Sequence, residues 1–531
     1  MTVEETQVAE VVVVPQEEAE KVVCEHEKVV EGDDKVKEVE EAESKTKMVE
    51  RSSSYKEESN YLSDLKEFEK KALNELKSKL EEAILGNNIF KKEEPKKKEE
   101  QKEEKKVAEE EEKKEEKTEE AVKTEEVEKT EEVGKTEDVK TEEEEKNEEK
   151  AEEVCETKTE EVAEEKTEEG EQEKKSEDGY EVVDTDISLW GVPLFPGKGF
   201  EGTDVVLLKF LRAREFKVNE AFEMLKKTLQ WRKESKIDSI LDEDVCADLS
   251  SAAYLNGVDR EGHPVCYNIF GVFDNEELYR KTFGNEEKRG QFLRWRLQLM
   301  EKSIQKLDLR PGGVTSLLQI NDLKNSPGPS KKELRIATKQ AVGLLQDNYP
   351  ELVAKNIFIN VPFWYYALNA LLSPFLTQRT KSKFVVARPA KVTETLLKYV
   401  PAQEIPAQYG GFKRDNDSEF SAEDGAVSEL IIKAGSTGTV QIDAAEVDNT
   451  LVWDLTVLGW EVNYKEEFVP TDEGSYTIIV QKKKKMGSNE GPIRNTFRSN
   501  EPGKVVLTIE NNSSKKKRVL HRYKAKKCST F

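Results

Sequence analysis

Three histidines, His26, His263 and His521, are all this 531-residue chain offers for proton transfer near neutral pH, and their spacing suits neither a metal site nor a triad. Gly312-Gly313 and Ser326-Pro327-Gly328-Pro329 read as turns, outside any phosphate-cradling glycine pattern. With no nucleophile beside a base, the chain reads as a non-enzyme without metal or organic cofactor. Cys24, Cys155, Cys246, Cys266 and Cys528 are scattered without paired spacing, which fits a reducing cytosol. The remaining chemistry is of two kinds, apolar contact and net charge. From Asn356 to Gln378 there is no Asp, Glu, Lys or Arg, so this stretch must meet something apolar. Lys482, Lys483, Lys484 and Lys485, and then Lys515, Lys516, Lys517 and Arg518, form two basic runs. Near an anionic leaflet each such charge contributes about 1 kcal/mol, so together they read as a membrane-docking patch. Nucleic acid is not expected as a partner, because no reader motif accompanies the charge. Cys528-Ser529-Thr530-Phe531 has the outline of a prenylation box, with Ser and Thr poor stand-ins for its aliphatic positions.

The elements that must position these residues follow from composition and period. The net charge of -26 hides a polarity: Gln481 to Phe531 carries 15 Lys and Arg against 3 acidic residues, leaving -38 on the rest. Residues 1–180 are so rich in Glu, Lys and Thr that they read as an acidic, low-complexity, disordered head. A hexamer runs from Lys117 through KTEDVK at Lys135; its valines rotate around a helix and make no seam. Within the head, Leu65, Phe68, Ala72, Leu76, Leu80 and Ile84 repeat at helical spacing, predicting an amphipathic helix over 62–85 that is either transient or docked. Met1 to Glu10 is acidic and Val11 to Val14 stops at Pro15, so no signal peptide is expected. Order should begin near Trp190 with two amphipathic helices. From Val265, apolar runs at 265–270, 314–320, 356–361 and 383–387 alternate with helical patterns at 292–307 and 332–346, predicting crossovers and a largely parallel sheet. Pro362 and Pro374 break the uncharged stretch below the about 20 residues that span a bilayer, so it reads as a strand followed by an apolar helix. After Gly410-Gly411, short alternating segments separated by turns predict an antiparallel sandwich.

LLKFLRAREFKVNEAFEMLKKTLQWR (207–232), GVDREGHPV (257–265), NDLKN (321–325), NYPE (348–351), INVPFWYY (359–366), PFLTQRTKSK (374–383) and IPAQYGG (405–411) fall in order along some 200 residues. This set resembles the Sec14-like (CRAL-TRIO) lipid-transfer proteins. The sandwich is similar to a GOLD domain, and the whole arrangement resembles the plant patellins. The resemblance implies a multidomain chain: a disordered acidic region (1–180), an all-α N-terminal lobe (190–240), an α/β lipid-binding domain (241–415) and an all-β GOLD sandwich (420–527). It implies a gate helix at Phe363 to Leu372, with Phe363, Trp364, Tyr365, Tyr366, Leu368, Leu371, Leu372 and Phe375 lining a pocket for acyl chains. It also carries over headgroup contacts for phosphatidylinositol or a phosphoinositide to Glu351, Thr380 and Lys383, and to one of Arg212 and Arg214. Leu317 and Gln319 stand where a choline-lipid binder has small hydroxyl residues, which speaks against that headgroup. The implied protein is cytosolic and peripheral, transferring or presenting inositides in trafficking at cell plate, plasma membrane or endosomes. The competing expectation is an adaptor that recruits unknown proteins through GOLD and the acidic head.

Overall fold

The computed structural model describes residues 56–91, 185–245, 249–327, 331–362, 379, 382–421, 424 and 427–526. The hexamer repeats, the expected gate helix with Phe375, Thr380, and the last four residues lie outside them.

The helical lobe starts far upstream of Trp190. After a 3-10 turn at Leu62–Asp64, helix α1 (Glu67–Leu85) buries Ala72, Leu73, Leu76, Leu80, Ala83 and Ile84. These side chains share one core with Leu207, Phe210 and Leu211 of α2 (Glu201–Ala213) and Leu225 of α3 (Val218–Glu234). An isolated helix of this length is marginal in water, and burying each large apolar side chain contributes about 1.5–3 kcal/mol. Docking therefore decides between the two readings of this helix. Phe68 departs from the stripe, being 55 % exposed with its ring edge-on to Phe216 at 5.5 Å. A hairpin of β1 (Ser188–Leu189) and β2 (Val192–Pro193) adds Leu189 and Val192 to the same core.

The second layer is a five-stranded sheet of β3 (Ala253–Val258), β4 (Pro264–Ile269), β5 (Leu317–Asp322), β6 (Val353–Ile359) and β7 (Phe384–Val386), in that order. β3 is antiparallel to β4 and the other three pairings are parallel. The crossovers carry α4 (Glu276–Phe283) and α5 (Glu286–Ile304), then α6 (Lys332–Asn348); α7 (Val392–Tyr399) follows β7. Successive strand residues point to opposite faces. Val265, Tyr267, Leu318, Ile320, Ile357 and Val385 meet Val392, Leu396 and Leu397 of α7 on one face. Cys266 and Leu317 meet Leu297, Met300 and Ile304 of α5 on the other.

The third unit is a sandwich of two antiparallel sheets built from β8 (Ser428–Ile432), β9 (Thr437–Ala444), β10 (Thr450–Val457), β11 (Val462–Pro470), β12 (Ile478–Met486), β13 (Ile493–Arg498), β14 (Gly503–Glu510) and β15 (Lys517–Lys526). The orders are β13-β10-β15-β8 and β12-β11-β14-β9, with Trp453, Trp460, Tyr464 and Phe468 filling the space between. Leu520 of β15 joins the α/β core, so the sandwich packs directly on the preceding domain.

Candidate functional site

Glu351 ends the NYPE turn in a left-handed backbone conformation, φ 54°, rare for a residue with a side chain. Its carbonyl accepts from the buried Lys209 Nζ at 2.8 Å, which ties the turn to α2. Its carboxylate faces two cations. Lys383 Nζ donates to Oε2 at 2.7 Å and also to the Val353 carbonyl at 3.0 Å. Arg379 lays its fork across both oxygens, Nε to Oε1 at 2.8 Å and Nη2 to Oε2 at 3.0 Å. Burial alone would raise the Glu351 carboxyl, but hydrogen bonds from Arg379 and Lys383 and their charges outweigh it and hold it at about 2.

The structure thus brings Glu351 and Lys383 together and adds Arg379, which the sequence did not single out. It also separates the two arginines of the FLRAR segment. Arg212, buried, donates from Nη1 to Asn60 Oδ1 at 2.5 Å and from Nη2 to the Ser59 carbonyl at 2.6 Å, and its Nε lies 3.1 Å from Glu58. Glu58 in turn accepts both Nη groups of Arg379 at 2.8 Å, so Arg212 belongs to the Glu351 cluster. Arg214, at the end of α2, lines a different, open cleft with Met224, Lys227, Trp231, Leu344 and Asp347. Lys209 sits beneath the cluster, its ammonium pushed down to about 7 by burial despite the charges of Glu57 and Glu351.

Next to Lys383 the sheet carries a floor of mixed polar and aromatic side chains. On the face that carries Cys266, Gln319 is in register with Asn356 and Asn356 with Phe384. Phe358 and Phe384 meet edge-on at 5.4 Å, both half-buried. The opposite face is closed by a ring stack, Tyr254 on Tyr267 at 5.4 Å and Tyr267 on Tyr409 at 5.8 Å, with the Tyr409 hydroxyl donating to Asp322 of the NDLKN motif at 2.8 Å.

Comparison with known proteins agrees with this architecture. A CRAL/TRIO N-terminal domain model matches residues 72–227, a CRAL/TRIO domain model 249–411, and a model of the Patellin-1-like C-terminal GOLD domain 433–517. Patellin-4 of Arabidopsis thaliana is 61% identical over 546 residues, covering 99% of this chain and 98% of that protein. The chain belongs to the patellin family. A phosphatidylinositol transfer protein SFH5 of Scheffersomyces stipitis is 31% identical over 231 residues, 41% of this chain and 69% of its own. The crystal structure of Sfh5 aligns at 25% identity with 39% of this chain and 75% of its own, with a TM-score of 0.34.

In this patellin the two basic runs of the GOLD domain differ. Lys482 to Lys485 lie exposed on β12, an edge strand, although Lys483 pairs with Glu510 and Lys484 approaches Glu490 at 3.6 Å. Lys515 and Lys516 are exposed in the turn before β15. Lys517 begins that strand pointing inward, buried, with Nζ donating to the Gly459 carbonyl at 3.2 Å, and Arg518 is taken by Glu429 at 2.8 Å. Of the two runs, the first plus Lys515 and Lys516 are therefore what remains exposed, because strand alternation turns Lys517 away from solvent. Among the described residues no helix is long and apolar enough to cross a membrane.

Proposed function

We propose that this chain is a non-enzymatic lipid carrier that takes phosphatidylinositol or a phosphoinositide from a membrane and transfers or presents it in trafficking. The cell plate of dividing cells is its proposed place of work. The observation that supports this most is the pairing of Glu351, Lys383, Arg379 and Arg212 at the edge of the half-buried Phe358–Phe384 floor. Acyl burial is worth about 0.8 kcal/mol per CH2, yet a bilayer already supplies it, so selectivity rests on the headgroup. Lys383 and Arg379 supply charge-assisted donors to a phosphate, and Glu351 accepts from inositol hydroxyls. Acyl chains would run over the Phe358 and Phe384 rings of the floor, and the exposed lysines of β12 would hold the protein at an anionic surface.

Transfer between vesicles tests the reading. Lys383→Ala leaves Glu351 its pairing with Arg379, so the fold should survive. Phosphatidylinositol transfer should fall at least about tenfold, the loss of one charge-assisted contact. Normal transfer by this variant would reject the headgroup assignment. A wild-type protein that binds inositide vesicles but moves no lipid would be an adaptor.

A further inference from the structure

The cations of this corner are not waiting for a lipid with open hands. Residues 57–60, which arrive from the acidic head, already occupy them. Glu58 fills the outer fork of Arg379 with both carboxylate oxygens at 2.8 Å and lies 3.1 Å from Arg212. Asn60 and the Ser59 carbonyl take the two Nη groups of Arg212. Glu57 accepts from Ser316 at 2.6 Å and faces His263 Nε2 at 2.9 Å. Lys209, Arg212, Arg379 and Lys383 thus share three carboxylates, Glu351, Glu57 and Glu58, and two of those three belong to the arriving segment.

We propose that Glu57 and Glu58 are a tethered counter-anion of the headgroup site, and that an anionic phosphate ester must displace Glu58 from Arg379 and Arg212 to load. Three observations carry this. A planar guanidinium fork accepts phosphate and carboxylate in the same bidentate geometry, so Glu58 stands as a mimic of the ligand's charge. The Glu58 side chain is 45% exposed against 13% for Glu351, so it covers the cluster from the solvent side. The segment is held by charge and polar contacts more than by apolar burial: Asn60, 9% exposed, is tied to Arg212 and Thr315, Tyr61 and Leu62 are 51% and 50% exposed, and apolar anchorage resumes only at Leu65, 5% exposed. Residues 57–61 can therefore leave while α1 stays docked. Arg379 becomes the specificity-determining residue that passes from carboxylate to phosphate; phosphatidylcholine carries the same phosphodiester anion, but its own choline cation offsets that charge and leaves it a weaker competitor for the guanidinium that Glu58 holds.

This rests on the headgroup reading above, and the test separates the two. Full-length wild type, Glu58→Gln and Glu57→Gln/Glu58→Gln are loaded from phosphatidylcholine vesicles with and without phosphatidylinositol. Removing an internal competitor raises apparent affinity by the fraction of time it occupied the site, so Glu58→Gln should load phosphatidylinositol about tenfold more tightly, with phosphatidylcholine uptake unchanged. In wild type, amide hydrogen exchange of residues 56–61 should accelerate when phosphatidylinositol vesicles are added and stay constant with phosphatidylcholine alone. Acceleration by soluble myo-inositol 1-phosphate as well would support displacement by any phosphate ester; acceleration by vesicles alone would support displacement by the lipid headgroup. Unchanged exchange under both, or no gain in loading by Glu58→Gln, would overturn the proposal and leave the segment a structural latch. Lys383→Ala in the same assay reports on the headgroup reading independently. Lost loading there beside an inert Glu58→Gln rejects the counter-anion alone.

Discussion

His263 carries a test at the scale of a single residue. Its Nδ1 faces Asp259 at 2.9 Å and Glu261 at 3.9 Å, and its Nε2 faces Glu57 at 2.9 Å. Burial alone would lower its pKa from the ordinary 6.5, but hydrogen bonds to Asp259 and Glu57 and their charges outweigh that and raise it to about 9. Glu57 is shifted the other way: burial would raise it, while His263, Ser316 and Lys209 hold it at about 2, against an ordinary 4.5. A raised histidine contributes fully below 6.5 and loses its contribution as pH climbs through about 9; a lowered carboxyl contributes fully above 4.5 and loses its contribution as pH falls through about 2. The contact between them is therefore strongest between those two ordinary values. An imidazole NMR titration should place His263 near pH 9, and Glu57→Gln should lower that midpoint by about one unit, a differential interaction of about 1.4 kcal/mol. A wild-type midpoint at the ordinary value would show that Glu57 does not reach the imidazole in solution. In sequence, His263 is only one of three histidines without a partner at useful spacing, and nothing marks Glu57 or Glu58 among the many glutamates of the head. Their partners lie 206 and 321 residues away, a separation no local pattern records. Glu351 and Lys383 were legible through motif order, whereas Arg379 sits in a stretch with two nearby lysines and had no local reason to stand out.

At the scale of elements, periodicity was readable wherever side-chain character matched burial, and failed where polar groups point inward. Helix α1 was visible because Leu76 and Leu80, both fully buried, keep a four-residue spacing. Whether it docks was not visible, since the residues that receive it lie more than a hundred positions downstream. Leu76→Ala should lower the stability of the lobe by about 2–5 kcal/mol, the cost of a cavity plus lost burial, measured by denaturant unfolding. An unchanged midpoint would mean that α1 does not share the core of α2 and α3. β10 is readable as a run of β-branched and aromatic residues, Thr450 to Val457, whereas β11, β13 and β15 do not alternate cleanly. In β11 the inward positions include Glu466, fully buried, whose carboxylate accepts from Trp453 Nε1 at 3.3 Å, Tyr464 hydroxyl at 2.8 Å and Asn495 Nδ2 at 2.7 Å. In β15 the buried side chains include Lys517, on the sandwich face with Val519, and Arg522, on the face that Leu520 turns to the α/β domain. Charges at core positions disguise the alternation that a strand is recognised by. They stand there because each has partners enough to offset its desolvation.

For the whole molecule, the two folded domains are joined by charge as well as by Leu520. Asp454 of β10, fully buried, accepts from Arg522 of its own sandwich at 2.8 Å and from Arg414 of the connecting segment at 2.8 Å, while Arg522 also donates to the Phe412 carbonyl at 3.0 Å. A buried carboxylate committed on both sides makes separation costly, so any surface that held the sandwich would also position the Glu351 cluster. This makes the surviving basic run consequential. Strict alternation is interrupted within this lysine run, because the register of β12 on β11 shifts between Gln481 and Lys484. Lys483 is neutralised by Glu510 and Lys484 lies near Glu490, which leaves Lys482 and Lys485 as the residues on which an anionic surface should depend most. At about 1 kcal/mol per charge, Lys482→Ala/Lys485→Ala should weaken binding to phosphatidylserine vesicles by about thirtyfold at low salt. The difference from wild type should shrink as ionic strength rises and the screening length falls to about 8 Å. Cosedimentation across a salt series reads both effects. Equal binding by the two proteins at low salt would mean that another surface meets the membrane and that the β12 lysines serve instead to keep an exposed sheet edge from pairing with other chains.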